Sequence, residues 1–237
     1  MEVQTIFSAD PRAASENYRK TGFHVEPDLF PPSLCDELVE VANRFPEVLK
    51  GNFRTVLQPH RQSDVFLDTL RRPQVVRIVR EFIGGSISAV QSQFFYCMPG
   101  TPGFQPHQDN RFVNAPQGAF ASAWVALCDV DRNNGGLILY PGSHGEPLLD
   151  TESVDYEETS LQDVNAMRLR CRIPDQYKPL DLRMTQGSVV FFDGHTVHAS
   201  HPNQSNKCRY ALLMTYVRRG VPFTAGQYAQ RQAIEID

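Results

Sequence analysis

Two stretches of the chain carry residues able to hold a metal ion. In "FQPHQDNRF", residues 104–112, His107 stands two residues before Asp109, just past the turn-forming "MPGTPG". In "SVVFFDGHTVHASHPNQSNKCRYALLMTY" a buried-looking strand passes a turn at Asp193 and Gly194 and delivers His195, His198 and His201; a second strand follows and carries Arg209. Two imidazoles and one carboxylate on one face of an ion suit non-haem Fe(II), because three adjacent coordination positions stay open for a bidentate co-substrate and dioxygen. A zinc hydrolase would more typically present HExxH on a helix, and that motif is absent. An HxD pair alone is a weak signal, so the weight rests on its combination with the later histidines and the arginine.

Those residues need elements to position them. If "CRYALLMTYV" is a strand, Arg209, Ala211, Leu213 and Thr215 share one face while Tyr210, Leu212, Met214 and Tyr216 share the other. Arg209 then projects inward, where its guanidinium fork can grip a carboxylate and where a buried cation needs one; the ordinary alternative is an arginine at the strand edge facing water. Four further segments read as strands: "SISAVQSQFFYCM", "GAFASAWVALCDV", "GLILYPGSH" and "GSVVFFDG". In the first of them Gln91, Gln93 and Phe95 share a face, and Gln93 is a polar side chain in need of a partner, such as a co-substrate carboxylate, a substrate hydroxyl or backbone at a sheet edge.

Upstream, "PPSLCDELVEVANRF" spaces Leu34, Leu38, Val41 and Phe45 as a helix from Pro32 to Phe45, and a second helical region runs from Ser63 to Ile83, broken at Pro73 and capped by Gly84 and Gly85. Helices followed by many short strands predict a mainly β fold with flanking helices, a sandwich or small barrel buttressed on one sheet. We expect one domain over 1–237, helical over about 1–85 and β-rich over about 86–220. A polar, acidic excursion over about 145–186 interrupts the strands and is a candidate lid.

Composition narrows the function. Lys and Arg total 23 against 27 Asp and Glu, a formal charge of -4, and no basic run tracks phosphates, so nucleic acid is not an expected partner. No apolar run reaches membrane-spanning length and no secretory leader is visible, which predicts a soluble, cytoplasmic protein. The five cysteines, Cys35, Cys97, Cys128, Cys171 and Cys208, lack CxxC spacing and read as reduced core thiols.

From "YRKTGFHVEPDLFPPSLCDEL" through "HQD", "WVALCDVDRNNGGLILYPGSH" and "GSVVFFDGHTVHAS" to an Arg eleven residues after His198, the chain resembles the phytanoyl-CoA dioxygenase (PhyH) family of Fe(II)- and 2-oxoglutarate-dependent oxygenases. The resemblance implies a double-stranded β-helix, the cupin-like jelly roll, with Fe(II), 2-oxoglutarate and O2 as cofactor and co-substrates. It implies that His107, Asp109 and His198 are the iron ligands, that Arg209 holds the distal carboxylate of 2-oxoglutarate assisted by Ser200, and that Trp124 walls the co-substrate pocket. His144 of "PGSH" falls in a structural turn, and Asp109 stands where halogenating relatives have a small residue, which disfavours halogenation.

The resemblance further implies oxidation of an unactivated C–H bond, by hydroxylation or oxidative ring closure, in a small or medium natural product. A sugar-containing antibiotic intermediate of the orthosomycin type is one such substrate. Asn110, Arg111, Arg54 and His195 are candidate substrate contacts, with surface arginine and solvated turn histidine as the ordinary alternatives. Two rival readings are a cupin-like metal dioxygenase that uses no keto acid, for which Arg209 has no role, and a non-catalytic jelly-roll binding module. Oligomeric state is not legible.

Overall fold

In chain order the elements are α1 (Pro11–Thr21), β1 (Phe23–Glu26), α2 (Pro32–Ala42), α3 (Pro46–Leu49), β2 (Val56–Leu57), α4 (Asp64–Leu70), α5 (Pro73–Ile83), β3 (Ile87–Cys97), α6 (Asn110–Val113), β4 (Phe120–Ala126), β5 (Leu137–Leu139), β6 (Thr151–Ser153), β7 (Leu169–Cys171), β8 (Leu180–Asp181), β9 (Val189–Asp193), β10 (His198–Ser200), β11 (Arg209–Arg218) and β12 (Ile234–Ile236). The computed structural model describes residues 6–155 and 168–236. A seven-stranded antiparallel sheet has the order β1-β9-β4-β11-β3-β12, with β2 also pairing β3. A smaller sheet runs β10-β5-β8, and β6 pairs β7. Two facing antiparallel sheets of this kind make a jelly roll, a mainly β fold with its helices on the outside of the large sheet.

Alternation along the strands sorts the two cores. Leu212, Met214 and Tyr216 of β11 pack with Ala121, Ala123, Val125 and Phe191 under the helices, beside Leu38, Leu70, Val79 and Ile83. Ala211 and Leu213 point the other way, toward Trp124, Val190, Phe192, Leu137 and Leu139 between the sheets. The alternation of β11 read from sequence is therefore the alternation of the fold.

A bulge in β3 breaks that simple rule next door. Thr215 pairs Gln91 but Tyr216 pairs Ala89, so Val90 is the extra residue. Ile87 and Ala89 face the helices, yet past the bulge Gln91, Gln93 and Phe95 turn to the cavity between the sheets. One inserted residue has switched the face of every residue that follows.

Several boundaries differ from expectation. The first expected helix ends at Ala42, not Phe45, because Pro46 opens α3 and forces Phe45 into extended backbone (ψ 140). The break before Pro73 falls as expected, with Pro73 at the start of α5. Gly84 does have a positive φ of 74°, but its ψ of 133° is not the left-handed helical cap. Strands continue beyond 220: β12 closes the edge of the large sheet against β3. Residues 145–186 are less of an excursion than the composition suggested, since β6, β7 and β8 lie within them and β8 belongs to the small sheet; the part over 156–167 lies outside the described residues. Among the described residues no helix is long and apolar enough to cross a membrane, and all five cysteines are free thiols, Cys35, Cys97 and Cys171 buried and Cys128 and Cys208 partly so.

Candidate active site

His107 and His198 meet through their backbones. They form an isolated antiparallel bridge, His107 N–H donating to His198 O at 2.9 Å and His198 N–H to His107 O at 3.0 Å, and their ring centroids are 4.2 Å apart. Gly103 permits this approach. A Cβ built there would lie 1.9 Å from Ser200 O and 2.7 Å from the His201 carbonyl carbon, so the segment leading to His107 lies on β10 more closely than any side chain allows.

Each imidazole is oriented from behind. His107 Nδ1 lies 2.7 Å from Gln105 O and His198 Nδ1 lies 3.0 Å from Thr196 O; donation to these carbonyls puts the proton on Nδ1 and leaves each Nε2 lone pair facing inward. Both Nε2 atoms are 3.6 Å from Asp109 Oδ1. The other carboxylate oxygen, Oδ2, is held at 3.0 Å by the Ser122 hydroxyl. Burial, with the neighbouring His198 as the next cause, pushes the His107 pKa down against the pull of Asp109, so the ring is neutral as a ligand must be. The three ligand atoms lie within 4.8 Å of one another. One ion fits between them, and the donor set is that of an Fe(II) centre with open positions.

The site opens into a cavity of about 240 Å³. Arg209 lines it at 4% exposure, with its guanidinium carbon 5.5 Å above the Trp124 ring. Its Nη2 donates to Gly135 O at 3.0 Å, while its Nε is buried with no hydrogen-bond partner among the described residues. Gly135, at φ 93°, admits the guanidinium: a Cβ there would stand 3.3 Å from Arg209 Nη2 and 2.9 Å from Cys97 Sγ. A buried cation with an idle donor fits a carboxylate ligand. Ser200 adds a second donor, because its Oγ accepts from Phe104 N–H at 2.9 Å and keeps its own proton to give. Gln93 and Trp124 line the same cavity.

The expected substrate contacts fall elsewhere. Asn110 is buried and clasps Ala115, donating to its carbonyl at 2.8 Å and accepting from its N–H at 2.9 Å. His195 is not a solvated turn residue: it is 7% exposed, its backbone N–H donating to Asp193 Oδ1 at 2.8 Å and its Nε2 lying 3.4 Å from Asn110 Nδ2. Arg111 donates to Leu149 O, and Arg54 is exposed. None of the four lines the cavity: Asn110 and Arg111 belong to α6, His195 lies in the turn between β9 and β10, and Arg54 is exposed. His201 pairs with Asp181 at 2.7 Å, away from the ligand cluster.

Sequence reasoning missed the far wall. Gly226, Gln227, Tyr228, Ala229 and Arg231, between β11 and β12, line the cavity together with Gln91 and Phe112, whereas no described residue of 145–186 does. Ser122 was also missed, although a lone hydroxyl two residues before Trp124 on an apolar strand is a usable signal.

Fold and site together define the class: a jelly roll holding two histidines and one aspartate at the mouth of a cavity between its sheets. Residues 18–211 match the model of the phytanoyl-CoA dioxygenase (PhyH) family, and the chain belongs to it. The peroxisomal phytanoyl-CoA dioxygenase of Rattus norvegicus is 28% identical over 193 residues, 77% of this chain and 56% of that protein. The chain spans about half the length of the curated relatives it matches. Among solved structures, SnoK, a non-haem alpha-ketoglutarate-dependent carbocyclase from nogalamycin biosynthesis, is similar with a TM-score of 0.75 at 20% identity, over 95% of this chain and 91% of that one. The epimerase SnoN, in complex with Fe3+, alpha-ketoglutarate and nogalamycin RO, gives 0.75 at 18% identity over 90% and 87%.

Proposed function

We propose that this protein is an Fe(II)- and 2-oxoglutarate-dependent dioxygenase that oxidises an unactivated C–H bond of a small or medium natural product. The observation that carries the reading is the convergence of His107, Asp109 and His198 on one cavity with Arg209, whose buried Nε has no hydrogen-bond partner among the described residues. In this reading His107 Nε2, His198 Nε2 and Asp109 Oδ1 hold the iron, while Arg209 and Ser200 hold the distal carboxylate of 2-oxoglutarate. The bound iron, 2-oxoglutarate and dioxygen supply the oxidising power for C–H cleavage, with succinate and carbon dioxide as co-products.

The chain's own residues orient and exclude. Gln105 O and Thr196 O fix the imidazole tautomers, and Ser122 holds Oδ2 of Asp109 so that Oδ1 faces both imidazoles. Trp124, Phe192 and Leu213 give the cavity an apolar wall that keeps bulk water from the reacting carbon. The structural neighbours SnoK, a carbocyclase, and SnoN, an epimerase, both of nogalamycin biosynthesis, support a natural-product substrate, and SnoK supports oxidative ring closure as an outcome. A cytoplasmic location and a partner limited to small molecules belong to the same reading.

The test is anaerobic titration of the metal-free protein with Fe(II) and then 2-oxoglutarate, followed by aerobic assay for succinate. A visible charge-transfer band that needs both additions is the expected result. Metal binding with no band and no succinate, even with a broad substrate panel, would favour the binding-module reading.

A further inference from the structure

A second buried arginine faces the cavity from a segment beyond the family match, which ends at residue 211. Arg231, 9% exposed, follows a tight turn in which Gln230 N–H donates to Gly226 O at 3.0 Å and Arg231 N–H to Ala225 O at 2.8 Å. The turn is tied to the body by Gln58 Nε2, which donates to Ala229 O at 2.7 Å, and by Arg61 Nη2, which donates to Gln230 O at 2.6 Å. Within the cavity Arg231 Nε donates to Gln91 Oε1, and Nη1 donates to Phe112 O at 3.0 Å and Thr224 O at 3.2 Å. Every one of these acceptors is neutral. Among the described residues no carboxylate lies within ion-pairing distance of Arg231, and its Nη2 makes no hydrogen bond to protein.

Anchoring the turn does not require a charge. A buried guanidinium satisfied only by neutral acceptors is costly, and it becomes favourable when a ligand brings the counter-charge. Among the described residues Asp109 is the acid whose field favours the charged form, and in the proposed site its charge is committed to iron. Nor is Arg231 a second clamp for 2-oxoglutarate. Its partner Gln91 pairs Thr215, six residues or about 20 Å of backbone along β11 from Arg209, so the two arginines enter the cavity from opposite ends of that strand.

We propose that Arg231 recognises an anionic group, a carboxylate or a phosphate, on the substrate, and so fixes which end of that molecule lies farthest from Arg209. This rests on the oxygenase reading above, and it narrows the substrate class to acidic compounds. The Gln91 side chain acts as a positioning residue that aims the guanidinium into the cavity.

The test uses anaerobic protein with Fe(II) and saturating 2-oxoglutarate, and calorimetric titration with 3-phenylpropionate, its primary amide and phenyl phosphate. At least one of the two anions should bind the wild type about ten- to a hundredfold more tightly than the amide, the worth of one charge-assisted hydrogen bond. Arg231→Gln should erase that preference, and Arg231→Lys, which keeps the charge without the fork, should retain part of it. Both variants should still form the 2-oxoglutarate charge-transfer band. Preference for the anion persisting in Arg231→Gln, or neither anion binding the wild type, would overturn the proposal while leaving the oxygenase reading intact. Should Arg231→Gln not fold, an unchanged preference in Arg231→Lys counts against the fork. Failure of the wild type to form the band would instead overturn the oxygenase reading, and this proposal with it.

Discussion

Replacing Arg209 by Met tests the co-substrate site where its energetics are most lopsided. In the protein alone the guanidinium is 4% exposed and has a backbone carbonyl, Gly135 O, as its hydrogen-bond acceptor, with Nε idle. Methionine keeps most of the apolar stem beside Trp124 and Leu213 and removes a buried charge that no acid among the described residues pairs with, so the melting temperature without 2-oxoglutarate should hold or rise. Binding of the keto acid is another matter. Loss of a charge-assisted pair of hydrogen bonds should cost about 3 kcal/mol, which is about 150-fold in Kd. At a 2-oxoglutarate concentration of about 100 times its wild-type Kd, ligand linkage stabilises the wild type by about 2.7 kcal/mol, or roughly 5–10 °C for a chain of this length. The variant should show almost none of that shift. The assay pairs anaerobic titration of the charge-transfer band with thermal melts with and without the keto acid. A Kd within about threefold of wild type, or a variant that melts well below wild type in the absence of 2-oxoglutarate, would refute the reasoning.

Ser122→Ala frees Asp109 Oδ2 from its 3.0 Å hydrogen bond and should weaken Fe(II) binding about 10- to 100-fold, read by metal titration, with little change in the melt. Gly103→Ala drives a Cβ into Ser200 O, where backbone lies on both sides, and should cost at least about 1–3 kcal/mol in stability while weakening metal binding, because β10 carries His198. A pH effect is expected from His60, whose Nδ1 lies 2.7 Å from Ser92 Oγ and whose pKa is pushed down to about 4 by burial and then by Arg61. Its folded pKa lies below the ordinary value near 6.5, so the native state binds fewer protons than the unfolded one in between. Stability from this site is complete above about pH 6.5 and is lost as pH falls toward 4, by up to about 3 kcal/mol. Denaturant melts of wild type and His60→Gln across that window should converge in slope only if another group is responsible.

What the sequence determined by itself is local. Alternation placed Arg209, Leu213 and Thr215 on one face of β11, because side chains in a strand repeat every two residues and need no knowledge of the partner. Proline positions located the break before Pro73, and the motifs around His107, Asp109, His198 and Arg209 carried the resemblance to the family. The tertiary structure decided whatever depends on two distant segments meeting. The bulge at Val90 exists only in the register of β3 against β11, yet it decides that Gln91 and Gln93 face the cavity. Asn110, Arg111 and His195 sit beside the ligands in sequence but spend their hydrogen-bonding atoms on Ala115, Leu149 and Asp193. Arg231 stands more than a hundred residues from Asp109 along the chain and reaches the same cavity because β12 returns to the edge of β3. Composition and spacing can name the groups capable of chemistry. Which of them share a space follows from sheet register and close backbone approach, and those are properties of pairs of segments that no single stretch contains.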